Sequence, residues 1–166
     1  MKIAVIGAKG LPPRQGGIEH YCAEVFPRMV AQGHSVDLFA RSSYTDSSWL
    51  ENYDFEGVKV ISLPDVRMRG VDAFVTSALG ALATTGTKYD IIHFQALGPS
   101  LFTSLSKITT NSKIVVTCHG LDWQRAKWGN FSTRMIQMGE QTAVRCAHEI
   151  IAVSDALKTY FLQTYG

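Results

Sequence analysis

Short β-branched runs recur along this chain, separated by stretches that place apolar residues three and four apart, and this alternation is what most narrows its folding options. Six such runs stand out: Lys2 to Ile6, Ser35 to Ala40, Val58 to Leu63, Asp90 to Phe94, Lys113 to Cys118 and Glu149 to Val153. Short runs of this kind are typical of strands buried on both faces. Helical periodicity fills most of the intervals. It is clearest from Gly17 to Gln32, where Ile18, Tyr21, Cys22, Val25, Met29 and Val30 share a face and Gly33 ends the pattern. It returns over Val71 to Leu82, Ser100 to Lys107, Phe131 to Ala147 and Asp155 to Thr164. Strands alternating with helices of about 10 to 15 residues need right-handed crossovers and yield a parallel sheet covered on both sides, the doubly wound, Rossmann-like α/β class. Arg41 to Gly57 lacks clear periodicity and reads as a surface excursion.

A length of 166 residues fits one domain over 1–166, and 46% hydrophobic residues suffice for a core without a disulfide or metal staple. Sixteen basic against fourteen acidic side chains leave a net charge of +2, too balanced for a nucleic-acid binder. Cys22, Cys118 and Cys146 are widely spaced with no C-x-x-C pair, which argues against a disulfide framework and a zinc site and points to a reducing, cytoplasmic compartment. The apolar run that opens the chain is shorter than a signal peptide's core, and Ala73 to Ala83 is too short to span a bilayer.

In a doubly wound sheet, ligands bind beyond the carboxyl ends of the strands, so the loops that follow them hold the candidate chemistry. The first loop, Gly7 to Glu19, is too long for G-x-G-x-x-G, and no acidic residue closes the second strand at Phe39-Ala40-Arg41, so a nicotinamide site is not expected. It is not a P-loop either, since no G-K-[ST] follows. Gly16 and Gly17 at the helix entry could offer bare amides to a phosphate or a sugar hydroxyl, or simply make a tight turn, and the residues alone leave both readings open. His93 alternates with apolar neighbours, as a hydrogen-bonded core histidine does. His119, at a predicted strand end beside Gly120, is expected to project into the cleft. Asp122 and Arg125 are near enough to pair with each other. Trp123 and Trp128 could pack under the loop or make a platform for a sugar ring. From Lys127 to Arg145 the only acid is Glu140, and with Arg125 this makes a basic surface that is either solvated or approaches anionic phospholipid or a pyrophosphate-linked acceptor.

Taken in order, Gly16-Gly17-Ile18-Glu19, Gly33-His34-Ser35-Val36, Asp90-Ile91-Ile92-His93, Thr117-Cys118-His119-Gly120 and Ala152-Val153-Ser154 resemble the amino-terminal domain of family 4 retaining glycosyltransferases. That resemblance implies one half of a GT-B fold, with a carboxyl-terminal, nucleotide-sugar-binding domain lying outside this chain and a linker expected to begin at Tyr165-Gly166. It further implies sugar transfer from a nucleotide-sugar to a saccharide or lipid-linked acceptor with retained configuration, no metal or other cofactor, and an inactive isolated half. By the same resemblance, His119 contacts the transferred sugar near the reacting carbon, Gly16 and Gly17 approach the donor's diphosphate and sugar, and Glu19 and His93 lie near the acceptor or the cleft floor. The run from His119 to Trp128 looks like a bacterial subgroup linked to rhamnosyl transfer and polysaccharide assembly, which adds Asp122 and Arg125 to the acceptor-side candidates and peripheral contact with the inner face of a membrane to the expectations. The competing reading is a stand-alone Rossmann-like module that binds a nucleotide or sugar without chemistry.

Overall fold

A computed structural model describes residues 1–45, 51–64, 66, 71–124 and 129–166. The elements run β1 (Lys2–Ile6), α1 (Gly17–Ala31), β2 (Ser35–Arg41), β3 (Asn52–Phe55), β4 (Val58–Leu63), α2 (Asp72–Ala83), β5 (Ile91–Gln95), α3 (Thr103–Thr109), β6 (Lys113–Cys118), α4 (Asn130–Cys146), β7 (Glu149–Ala152) and α5 (Asp155–Tyr165). Single 3₁₀ turns sit at Ser42–Tyr44, Pro99–Phe102 and Asp122–Gln124. The sheet has seven strands in the order β3-β4-β2-β1-β5-β6-β7. All neighbours pair parallel except β3 with β4.

The expected parallel, doubly wound sheet is present, with one addition. Asn52–Phe55 pairs antiparallel with Val58–Leu63 through a two-residue turn in which Glu56 and Gly57 both have positive φ, the backbone that matches strand twist in a tight hairpin. The stretch read as a structureless excursion therefore contains an edge strand. Its signal is present but short: Tyr53 and Phe55 turn inward and pack on the core while Asn52 and Asp54 face out. The predicted helix at Ser100 to Lys107 divides into the 3₁₀ turn and α3, and the other elements agree to within a residue or two.

The side chains sort by face. Ile3, Val5, Val36, Leu38 and Val60 point to one side, where α1 covers them with Cys22 and Phe26. Ala4, Ile6, Phe39, Ile92, Phe94, Ile114 and Val116 point to the other, against Ala81 of α2 and Ala143 of α4. At its end α1 is closed by bonds from the Gly33 amide to the Val30 carbonyl (2.8 Å) and from the His34 amide to the Met29 carbonyl (3.1 Å), a Schellman pair that turns the chain directly into β2. The motif Gly33-His34-Ser35-Val36 thus has a backbone explanation.

β1 and β5 lie side by side, yet the chain leaves them toward opposite edges of the sheet: β1 leads to β2, β5 to β6. This is the topological switch point, where a crevice opens beyond the strand ends. Gly7 closes β1 there at φ +109, and a Cβ on it would stand 2.4 Å from the Gln95 carbonyl oxygen and 2.8 Å from Pro99. Only glycine lets the first loop cross so near the end of β5.

Candidate functional site

Three strand ends converge at the switch point: Gly7 after β1, Gln95 at the end of β5 and His119 just after β6. Thr117 stands opposite Gln95 in the β5–β6 register. His93 and Gln95 share one face of β5 and Thr117 and His119 continue one face of β6, so the four make a polar column beside the α1 layer. His119 Nε2 lies 2.8 Å from Gln95 Oε1, and His93 Nε2 lies 2.7 Å from Thr117 Oγ1. From α1, Tyr21 meets the His119 ring edge-on at 4.9 Å between centroids, and Phe26 meets His93 at 5.8 Å.

The two histidines differ in depth. His93 is buried, and desolvation, followed by the proximity of His119, lowers its pKa from 6.5 to about 4. It is a neutral, buried residue hydrogen-bonded to Thr117. His119 is half-buried; burial again lowers its pKa, while the carboxylates of Asp122 and Glu19 act in the opposite sense.

Glu19, in the first turn of α1, is itself buried. Its Oε1 accepts the Lys9 amide at 2.9 Å, so the carboxylate braces the first loop from the positive end of the helix. Gly16, at φ +93, caps that helix, and a Cβ there would come within 2.3 Å of Glu19 Oε2, whereas one on Gly17 would meet nothing within 4 Å. The helix entry accordingly has a packed side at Gly16 and an open side at Gly17, and the N-cap, Gly16, supplies no side-chain hydrogen bond to the first turn.

Beyond His119, Asp122 opens the 3₁₀ turn at Asp122–Gln124. Trp123 resolves to packing: its ring joins Leu97, Cys118 and Ile136, and its Nε1 donates to Glu140 Oε2 at 2.8 Å. Glu140 Oε1 accepts Tyr160 Oη at 2.7 Å and Tyr165 Oη at 2.6 Å, so this buried carboxylate joins the loop after β6 to α4 and α5. Arg125, Lys127 and Trp128 lie outside the described residues, and so does any Asp122–Arg125 pair. On α4, Arg134 and Arg145 remain on a surface that also exposes Phe131 and Met138. All three cysteines are free; burial raises the Cys22 thiol well above its ordinary range and the Cys118 thiol to about 11, the opposite of a reactive thiolate. Among the described residues, no group of three or more histidine, cysteine, aspartate or glutamate side chains is placed to hold a metal ion, and no helix is long and apolar enough to cross a membrane.

Gln95, Gly7 and Tyr21 belong to this site and carry no motif that marks them in the sequence. The period-2 relation of Gln95 to His93 on one strand is the signal that could have found Gln95.

A Rossmann-like sheet with its site at the switch point is the architecture of one half of a GT-B glycosyltransferase. Residues 15–166 match the family model Glycosyltransferase Family 4, and the chain belongs to that family. None of the curated proteins matches it. Among solved structures it is similar to sucrose-phosphate synthase from Thermosynechococcus elongatus, at TM-score 0.76 and 18% identity over 98% of this chain and 45% of the other. It is also similar to Anabaena HepE in complex with UDP-glucose, at TM-score 0.63 and 18% identity over 100% and 41%. A third similarity is to the catalytic domain of starch synthase IV from Arabidopsis thaliana bound to ADP and acarbose, at TM-score 0.51 and 18% identity over 73% and 34%. The chain spans less than half the length of each.

Proposed function

We propose that this chain is the amino-terminal, acceptor-side half of a retaining glycosyltransferase that moves a sugar from a nucleotide-sugar to a saccharide or lipid-linked acceptor. The observation that carries it is the convergence of His119, Gln95, Tyr21 and the Gly16-Gly17 helix entry on one crevice at the switch point. Family membership supports the reaction class. The Anabaena protein's complexes with UDP and UDP-glucose support a nucleotide-sugar as donor. In this reading the open amides at Gly17 face the donor's diphosphate, and the helix dipole offsets charge on the leaving group. His119 hydrogen-bonds the transferred sugar, Glu19 holds the first loop in place, Asp122 and Arg125 are the residues proposed to meet the acceptor, and His93 forms part of the cleft floor. No metal ion is invoked. Rhamnose is the proposed sugar and cell-surface polysaccharide the proposed product, with the enzyme working in the cytoplasm and its basic α4 face toward the membrane's inner leaflet.

The test is His119→Ala in the full-length polypeptide that carries this domain. Removing one preorganised polar contact to the reacting sugar is expected to lower kcat by about 10²- to 10³-fold. Turnover equal to the parent's would remove His119 from the site.

A further inference from the structure

Gln95 is 0% exposed, its Oε1 faces His119 Nε2 at 2.8 Å, and its Nε2 has no hydrogen-bond partner among the described residues. A buried amide with an unmade bond is unfavourable where an apolar side chain of similar shape would pack without loss. What the carboxamide supplies here is its oxygen, and a carbonyl oxygen only accepts. With the carboxamide in this orientation the proton between the two groups sits on His119 Nε2, which in a neutral ring leaves Nδ1 with a bare lone pair. Resting on the assignment of His119 to the sugar site, we propose that Gln95 is a positioning residue that locks His119 as its Nε2–H tautomer, so that Nδ1 serves as an acceptor for a hydroxyl of the bound sugar.

The surroundings agree with a neutral ring. The groups that bear on its protonation are Glu19 and Tyr21 from α1, His93 from β5 and Asp122 from the loop. The two carboxylates favour an imidazolium, but burial outweighs them and the pKa is lowered. His93 keeps its own proton balance through Thr117, so it does not compete for Gln95. An acceptor-only nitrogen selects for a polyol that still carries the hydroxyl, and disfavours a sugar deoxygenated at that position.

Long-range ¹H–¹⁵N spectra of the histidine-labelled chain, titrated from acid to neutral pH, read the tautomer and the charge of His119 without any substrate. The wild-type ring is expected as neutral Nε2–H. Gln95→Leu should give a mixture or the Nδ1–H form, and Gln95→Glu, which keeps the shape but adds a carboxylate, should hold the imidazolium to higher pH. Protected backbone amides of β1 and β2, away from the two rings, report that the sheet is intact in each variant. A wild-type Nδ1–H ring, or tautomer and titration unchanged in both variants, would overturn the proposal while leaving the sugar-site reading untouched. In the full-length enzyme Gln95→Leu should lower kcat by about tenfold or more, as loss of the correct tautomer does in other histidine sites, with the KM for the nucleotide-sugar nearly constant. Unchanged kcat beside an altered tautomer would detach the lock from catalysis and overturn its role.

Discussion

His93 shows how one residue can both belong to a site and contribute to stability. Its folded pKa of about 4 lies below the ordinary 6.5, so the unfolded chain binds the proton more tightly. Stability from this group is complete above pH 6.5 and is lost as pH falls toward 4, by up to about 3 kcal/mol. Urea midpoints measured at pH 7, 5 and 4 should fall across this window in the wild type and flatten in His93→Leu. Parallel losses in both chains would assign the pH dependence elsewhere. The sequence could identify His93 and His119 because each ends or alternates within a recognisable strand. For Gln95 it offers only the period-2 relation to His93; that its side chain meets His119 follows from the β5–β6 register, which sets Gln95 opposite Thr117.

At the level of elements, α5 depends on a single carboxylate. None of its residues is buried, Leu157 and Phe161 pack only at their edge of the core, and Tyr160 and Tyr165 reach back to Glu140. The same carboxylate holds Trp123, so α5 and the loop beyond His119 share one anchor. Glu140→Ala should cost about 2–3 kcal/mol through unmade bonds to three donors. Hydrogen exchange should locate that loss in α5 and Asp122–Gln124, with the amides of β1 and β5 still protected. Uniform loss of protection across the sheet would instead make Glu140 a global core residue. Spacing along the chain could not expose this anchor: Glu140 reads as a lone acid on a basic helix, and its partners lie 17 to 25 residues away. The edge strand β3 was obscured for a different reason, since only Tyr53 and Phe55 turn inward in its four residues, too few to make a periodic run.

For the whole molecule, the fold class was legible because a parallel sheet demands the alternation of apolar runs and helices that the chain displays. The convergence of particular loops was less so, because it follows from the order in which crossovers place the strands, and only the assembled sheet sets β1 beside β5. The two margins of that sheet are finished differently. β3 is short, antiparallel and turns Asn52 and Asp54 outward, features that discourage another strand from pairing. β7, the margin at the other end among the described residues, exposes Ile151 at 41% and is followed by Val153 at 45%. In concentrated solution molecules are expected to adhere through β7 and not through β3. Ile151→Lys is expected to lower the scattering intensity of concentrated samples without altering the melting temperature, and equal scattering from both chains would place the adhesive surface elsewhere. Lower scattering from Ile151→Lys would place the control of solubility in one margin of the sheet and not in the near-neutral net charge.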